Sequence, residues 1–239
     1  AMYRLWLLAA VLVMSGCGRF YPGPLQPTSQ QASEMTVNDD GSVTFSLDRL
    51  AITLQPMTDA QLNRQFAGAS AQGAKSTNPY TFGNWKPTGD EWTPPRFNVF
   101  LITMSNYQYP KVLLNPLNAT ITTANNRQYQ AFSFAQLDEY FRAYWLGRTG
   151  QGRERFENRT DLLRRTLYSS SMVFSGQEEK GFVVFPALHD DVEKVEVHIE
   201  DIALRFNYAG QPVESIDIDF SFEREVFRGY EPPPELAQQ

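Results

Sequence analysis

Apolar and polar residues alternate over several short segments of this 239-residue chain. A period of two is typical of β-strands that bury one face and expose the other. The clearest case is VESIDIDFSFEREV, residues 213–226, where isoleucine and phenylalanine share one parity and acidic residues share the other. Residues 97–106, FNVFLITMSN, are apolar on both parities. This second pattern predicts a central strand that is covered on both faces.

Two alternating segments change parity partway along their length. In the first, residues 43–54, the apolar positions move from odd to even numbers near Asp48–Arg49. In the second, residues 195–206, the same change occurs near Glu200–Asp201. Because a shift by one residue turns every side chain to the opposite face, each change of parity predicts a bulge or a bend.

A segment with helical periodicity interrupts the strand pattern at about residues 133–168. Ser133 followed by Gln136 is typical of a capping box at a helix start. Apolar residues then recur at the spacing of one helix face, at Leu137, Tyr140, Phe141 and Tyr144. The aromatic residues of this insertion either dock it on the sheet or form an exposed interaction patch: Phe132, Phe134, Tyr140, Tyr144 and Trp145.

Roughly seven or eight predicted strands flank the insertion, a number typical of an immunoglobulin-like sandwich. We therefore predict a mainly β chain, with an immunoglobulin-like β-sandwich over residues 42–228 that carries a helical insertion at about 133–168. Proline-rich sequence lies on both sides of this domain. It predicts a flexible tether over residues 17–41 and a disordered tail over residues 229–239.

The amino-acid composition of the chain excludes several classes of function. A formal net charge of −6 gives the chain as a whole no electrostatic footprint for nucleic acid. With one cysteine, Cys17, the chain can form no internal disulfide and no clustered Cys/His zinc site. The apolar share of 42% is sufficient for a substantial core.

The N-terminal segment has the features of a secretory signal peptide over residues 1–16. Arg4 supplies a positive charge, and residues 5–14 form an uncharged apolar run that is followed by the small residues Ser15 and Gly16. A ten-residue helix rises only about 15 Å, half the thickness of the hydrocarbon core, so a transmembrane span is not expected.

The sequence VMSGC at residues 13–17 resembles the lipobox of bacterial lipoproteins, in which small residues precede a lipidated cysteine. The resemblance implies a diacylglyceryl thioether and a fatty acyl group on Cys17, and no other cofactor. Several acyl chains make a durable membrane anchor. Gly18 stands where aspartate usually retains such proteins at the inner membrane, which implies an outer-membrane location facing the periplasm or the cell surface.

A second resemblance concerns the domain. The order of the segments SNYQYPKVLLNPLNATITTANNRQYQAF and GQEEKGFVVFPAL, residues 105–132 and 176–188, is similar to immunoglobulin-like domains of secreted bacterial lipoproteins. The helical insertion is longer than that pattern contains.

Few residues suggest chemistry at a site. Trp85 and Trp92 lie in a polar loop, where they either stack on sugars or anchor the loop. The sequence HDD at 189–191 offers metal ligands together with His198, but it lacks the spacing of a metal site and fits a polar loop better. The carboxylates of Asp217 and Asp219 could do acid/base chemistry, as a hydrolase requires, but they fit a solvated strand face better. Because no nucleophile or phosphate-loop motif is present, we predict no enzymatic activity and no metal.

A cluster of arginines marks the second half of the insertion. It comprises Arg148, Arg153, Arg155, Arg159, Arg164 and Arg165. The cluster predicts either contact with an anionic surface or an acidic partner, or a solvated helix with internal ion pairs.

Together these features predict a lipid-anchored, non-enzymatic envelope protein that binds or scaffolds another envelope component through a protein contact. The alternative is a periplasmic or surface lipoprotein that binds a glycan or another ligand.

Overall fold

The computed structural model describes residues 18–89, 92–145 and 151–237. The predicted signal peptide, the predicted lipidation of Cys17 and the predicted contact of Arg148 lie outside these residues. The chain is mainly β, with 41% strand and 22% helix. This confirms the predicted fold class at the level of a sandwich-like arrangement of antiparallel sheets.

The strands, in chain order, are β1 (Arg19–Pro22), β2 (Gln26–Pro27), β3 (Met35–Val37), β4 (Val43–Leu47), β5 (Leu50–Met57), β6 (Phe97–Asn106), β7 (Lys111–Leu113), β8 (Ala119–Thr123), β9 (Gln128–Gln130), β10 (Met172–Phe174), β11 (Gln177–Pro186), β12 (Lys194–Phe206), β13 (Pro212–Glu223) and β14 (Val226–Gly229). The helices are α1 (Asp59–Gln65), α2 (Ala67–Ser70), α3 (Phe134–Trp145), α4 (Gln151–Thr166) and α5 (Pro234–Ala237). Short 3₁₀ turns lie at Gly73–Lys75 and Pro116–Asn118.

The strands form two main antiparallel sheets and a small ribbon. One sheet has five strands in the order β11-β6-β5-β4-β3. The other has seven, in the order β10-β7-β12-β13-β2, with β8 paired to β12 and β9 paired to β8. Strands β1 and β14 make a separate two-stranded ribbon.

The main core lies between the two large sheets. Strand β6 contributes Phe100, Ile102 and Met104, and strand β13 contributes Phe220 and Phe222. The ring centroids of Phe100 and Phe222 are 5.5 Å apart, within the range of favourable aromatic contacts. Burying one such side chain stabilises the fold by about 2 to 3 kcal/mol.

The helical insertion packs on the outer face of the five-stranded sheet. Leu137 and Phe141 of α3 and Leu163 of α4 are buried in one cluster with Val99 and Phe182 of the sheet. Phe132, Phe134 and Tyr140 are partly buried against this cluster, which favours the docking interpretation for these three residues. The side chains of Tyr144 and Trp145 lie outside the part that the structure describes. Strand β6 is therefore covered on both faces, as its sequence predicts.

The capping box predicted at the start of the insertion is present. Gln136 N–H donates to Ser133 Oγ at 3.2 Å, and Ser133 N–H donates to Gln136 Oε1 at 2.8 Å. These bonds satisfy backbone donors that a helix N-terminus leaves without partners.

The two parity changes have different structural causes. Near Glu200–Asp201, the register between β12 and β13 shifts, and Asp201 adopts a φ of 56°, so this change is a β-bulge. Near Asp48–Arg49, β4 and β5 are instead two strands that pair Leu47 with Leu50 around a tight hairpin turn, with Asp48 at a φ of 53°. A two-residue turn changes the parity as a bulge does, so the sequence pattern alone does not separate them.

The segment predicted as a flexible tether carries three short strands. Strand β1 pairs with β14, β2 pairs with β13, and β3 pairs with β4. The predicted disordered tail also contributes helix α5, whose Leu236 is buried against Tyr21 and Trp92. Strands of two to four residues are too short to produce a recognisable alternation, which explains why the sequence pattern misses them.

Candidate functional site

A cavity of about 310 Å³ lies where β5 ends and β6 begins. Its volume is at the lower end of the range of small-molecule sites in proteins. Segments that are far apart in sequence form its walls: Pro22–Leu25, Pro56–Asp59, Phe82–Lys86, Trp92, Thr93 and Phe97–Phe100, together with Asn63, Pro95, Arg224 and Leu236.

Both tryptophans for which the sequence offers sugar stacking or loop anchoring line this cavity. Trp85 is 36% exposed, and its ring centroid lies 5.8 Å from that of Phe82. Trp92 is 8% exposed and stands edge-on to Tyr21 at a centroid distance of 5.4 Å. Trp85 therefore offers ring surface to a ligand, whereas Trp92 also anchors the N-terminal ribbon.

A buried polar network fixes the loop that carries Trp85. Asn78 Nδ2 donates to Ser70 Oγ at 2.9 Å and to Asn63 Oδ1 at 3.3 Å. Thr81 Oγ1 donates to the same Asn63 oxygen at 2.5 Å. Gly83 follows at a φ of 67°, and a Cβ there would lie 2.5 Å from the Ser70 carbonyl oxygen. The loop is thus held to α1 by hydrogen bonds and by a position that only glycine fills.

Asp59 is the acidic side chain of the cavity wall formed by α1. Thr58, whose Oγ1 accepts from Gln61 N–H at 3.2 Å, is the N-cap of the helix. Burial raises the pKa of the Asp59 carboxyl to about 7, although the nearby positive charge of Arg96 acts in the opposite direction. A carboxyl with a strongly raised pKa in a cleft is typical of functional sites.

The sequence gives no sign of this property of Asp59. An acidic residue in the first turn of a helix is common, because it interacts favourably with the helix dipole. The arginine that faces Asp59 is itself held among aromatic rings: the Arg96 Cζ lies 4.2 Å from the centroid of Phe82 and 5.6 Å from that of Phe141.

Replacing Asp59 with asparagine is expected to raise the free energy of unfolding at pH 8 by about 2 kcal/mol, with no gain at pH 4. The folded chain keeps the Asp59 proton up to a pKa of about 7, whereas the unfolded chain releases it near 3.8. Stability is therefore lost as the pH rises through this window. The gain is smaller than the full pKa difference implies, because Asp59 is half-buried and solvent screens part of its charge. Urea unfolding of the wild type and Asp59→Asn at pH 4, 6 and 8 measures this difference in the free energy of unfolding.

The matched control is Glu154→Gln, which removes an exposed first-turn acid from α4. Its effect on stability is the reference at each pH. An Asp59→Asn effect that does not change between pH 4 and pH 8 would contradict the raised pKa of Asp59.

Arg224 is a second charged residue in the lining that the sequence does not indicate. It is 7% exposed, and its Nε donates to the Val192 carbonyl at 2.7 Å. Its Nη2 donates to the His189 carbonyl, also at 2.7 Å. Burial lowers the pKa of the guanidinium, while the acidic groups of Asp190 and Asp191 act in the opposite direction.

Part of the predicted arginine cluster is engaged within the domain. Arg159 Nη2 donates to the Ser76 carbonyl, and the Arg159 Cζ lies 5.3 Å from the centroid of Phe141. Arg155 is half-buried. These two arginines therefore belong to the packing of α4.

The exposed arginines of α4 form local contacts. Arg153 pairs with Glu157 at 2.8 Å, and Arg164 pairs with Asp161 at 3.7 Å. Arg165 Nε donates to the Asp161 carbonyl oxygen at 3.2 Å. This arrangement favours the interpretation as a solvated helix with internal ion pairs over that of a partner-binding surface.

The two histidines lie in different surroundings. His189 Nδ1 is 2.7 Å from the Tyr129 hydroxyl, and His198 Nδ1 is 2.7 Å from the Asp219 carboxylate. Asp217 accepts a hydrogen bond from Asp201 N–H at 2.8 Å, so it supports the bulge of β12. In the part of the chain that the structure describes, no group of three or more His, Cys, Asp or Glu side chains could hold a metal ion.

Comparison with known proteins gives no significant match to a family model, to a curated protein or to a solved structure. No helix within residues 18–89, 92–145 and 151–237 combines the length and apolar character needed to span a membrane. The geometry of the cavity is therefore the main guide to function.

Proposed function

We propose that this chain is a lipid-anchored protein of the bacterial cell envelope, whose β domain is a non-enzymatic binding module with its ligand in the cavity. The observation that carries the proposal is that Trp85, Trp92 and Asp59 all line the same cavity. A few polar groups in a largely apolar cavity are typical of ligand sites.

The anchor is a diacylglyceryl group on Cys17, supported by the lipobox-like sequence before it. Gly18 after the cysteine supports the outer membrane as its location. Two facing antiparallel sheets support an immunoglobulin-like sandwich as the fold of the domain.

A carbohydrate is the ligand class that the cavity fits best. The open face of Trp85 offers an apolar surface to the C–H groups of a sugar ring, and Asp59 and Asn63 offer hydrogen-bonding groups. Nucleophilic catalysis needs a nucleophile within hydrogen-bond reach of a base. The hydroxyls of Thr58 and Thr93, which line the cavity, donate instead to the Gln61 amide oxygen and the Trp85 carbonyl.

Replacing Trp85 with alanine is expected to weaken retention on envelope polysaccharide by more than about tenfold, because the stacking surface is lost. Retention of the purified protein on a polysaccharide-coupled resin and binding to a glycan array measure the effect. Trp92 is unsuitable for this test, since it also packs against Tyr21 and Leu236.

Tyr208→Ala is the matched control. Tyr208 is a fully exposed aromatic residue in the turn between β12 and β13, outside the cavity lining. This variant should retain normal binding. Equal retention of wild type, Trp85→Ala and Tyr208→Ala would rule out the cavity as the binding site, and thermal unfolding of each variant checks that the fold is preserved.

A further inference from the structure

Arg224, which is 7% exposed, is one of the residues that line the cavity, and an uncharged sugar does not require its positive charge. We propose that the cavity takes a ligand with a carboxylate or phosphate group, and that the Arg224 guanidinium binds this anionic group. The inference rests on the binding function proposed for the cavity and names the chemical class of its ligand.

Two nitrogens of the Arg224 guanidinium are already hydrogen-bonded, both to backbone carbonyls. Nε donates to the Val192 carbonyl and Nη2 to the His189 carbonyl. Within the described residues, Nη1 has no hydrogen-bond acceptor and no carboxylate lies close enough for an ion pair with this side chain. The two N–H groups of Nη1 and the second N–H of Nη2 are therefore the donors left for a ligand.

The acidic groups around Arg224 leave its charge incompletely neutralised. Asp191 forms its own ion pair with Arg127 at 2.8 Å, and Asp190 acts on Arg224 only from beyond ion-pair distance. Asp59 lines the same cavity, and its carboxyl has a pKa of about 7, so below that pH it is mostly uncharged and does not neutralise Arg224. A buried charge without a direct counterion is costly, and a ligand anion would reduce that cost.

The guanidinium is also held in a fixed orientation. Because two backbone carbonyls accept hydrogen bonds from the guanidinium, the side chain is already ordered and loses little entropy when a ligand binds. Hydrogen bonds between arginine and an anion are among the strongest in proteins. With the ring face of Trp85 in the same lining, the ligand class that satisfies both groups is an acidic sugar, either a hexuronate or a sugar phosphate.

The test is isothermal titration calorimetry of the full-length lipoprotein in detergent with matched sugars: glucose, glucuronate and glucose 6-phosphate, and galactose with galacturonate. We expect at least one acidic sugar to bind more than about tenfold more tightly than its neutral partner. Comparison of glucuronate with glucose 6-phosphate shows whether a carboxylate or a phosphate is preferred. In Arg224→Gln this preference should disappear, and in Trp85→Ala both members of a pair should bind more weakly.

Arg205→Gln is the matched control, since Arg205 is exposed and pairs with Glu214 on the surface at 3.1 Å. It should keep the preference for acidic sugars. If Arg224 only ties the 189–192 loop in place, Arg224→Gln will lower the melting temperature and leave the ratio of acidic to neutral affinities unchanged. If Arg224→Gln fails to fold, Arg224→Lys retains the charge, and its preference for acidic sugars should be weaker than that of the wild type.

Two results would overturn the inference in distinguishable ways. Equal affinity of the wild type for neutral and acidic partners excludes recognition of an anion and leaves the binding function in place. Absence of binding to every sugar in the series, together with unchanged polysaccharide retention in Trp85→Ala, excludes the cavity as a carbohydrate site altogether.

Discussion

Replacing Gly181 with alanine is expected to lower the free energy of unfolding by about 4 kcal/mol or to prevent folding. Gly181 lies in β11, and the chain leaving α4 pairs with this strand through a bridge between Leu167 and Phe182. An added Cβ would lie 2.5 Å from the Tyr168 nitrogen and 2.9 Å from the Leu167 carbonyl carbon, and it would also overlap the Tyr168 Cα. All of these are backbone atoms, so no side-chain rotation relieves the overlap.

The backbone at Tyr168 cannot move away without further loss. Tyr168 N–H donates to the Phe182 carbonyl at 2.9 Å, and the Tyr168 side chain is buried in the main core. Separating the two segments would break this bond and open space around the ring. The expected effect therefore combines steric strain with lost core packing.

Gly68→Ala is the matched control, because a Cβ at Gly68 in α2 would have no heavy atom within 4 Å. Alanine has the higher helix propensity, so this variant should be as stable as the wild type or slightly more stable. Urea unfolding followed by tryptophan fluorescence measures both variants. A Gly181→Ala change within about 0.5 kcal/mol of the wild type would contradict the close backbone approach.

Replacing Cys17 with serine is expected to abolish lipidation and to release the protein from its acyl anchor. The physical reason is that the thioether forms on the cysteine sulfur, which a serine hydroxyl does not replace. Metabolic labelling with an alkyne fatty acid, followed by membrane fractionation, measures both effects. Fatty-acid labelling that persists in Cys17→Ser would contradict the assignment of the anchor to this residue.

Ser15→Ala is the control for that experiment, since it keeps a small residue at its position before the cysteine. It should be labelled and fractionate as the wild type does. Loss of labelling in Ser15→Ala would instead show that the substitution disturbs recognition of the signal sequence.

Much of the fold is predictable from sequence because its periodic segments are long. The ten residues of β6 are apolar on both parities, which correctly indicates burial between the helices and the second sheet. The capping box at Ser133 and the apolar stripe of α3 are likewise local signals of a docked helix. The short strands β1 to β3 escape prediction because their pairing partners, not their own pattern, define them.

The candidate site is predictable only in its aromatic part. Trp85 and Trp92 attract attention in sequence because large aromatic residues are unusual in a polar loop. Asp59 and Arg224 do not, since their properties follow from burial in the folded chain, where Asp59 lies near Arg96 and Arg224 bonds to Val192 and His189. Desolvation depends on the tertiary structure, so the local sequence around a residue does not predict it.

The start of β1 at Arg19 would limit how far the domain can move from the proposed anchor on Cys17. Gly18 already lies against the ribbon, where a Cβ would meet the Arg228 Cγ at 3.1 Å. An acyl anchor on the preceding residue, as proposed, would hold the folded domain close to the lipid surface. The cavity begins at Pro22, four residues or at most about 13 Å of extended chain beyond Gly18. Under this proposal we expect the cavity to meet ligands close to the membrane, so that glycans attached to the same membrane would reach it more often than soluble sugars.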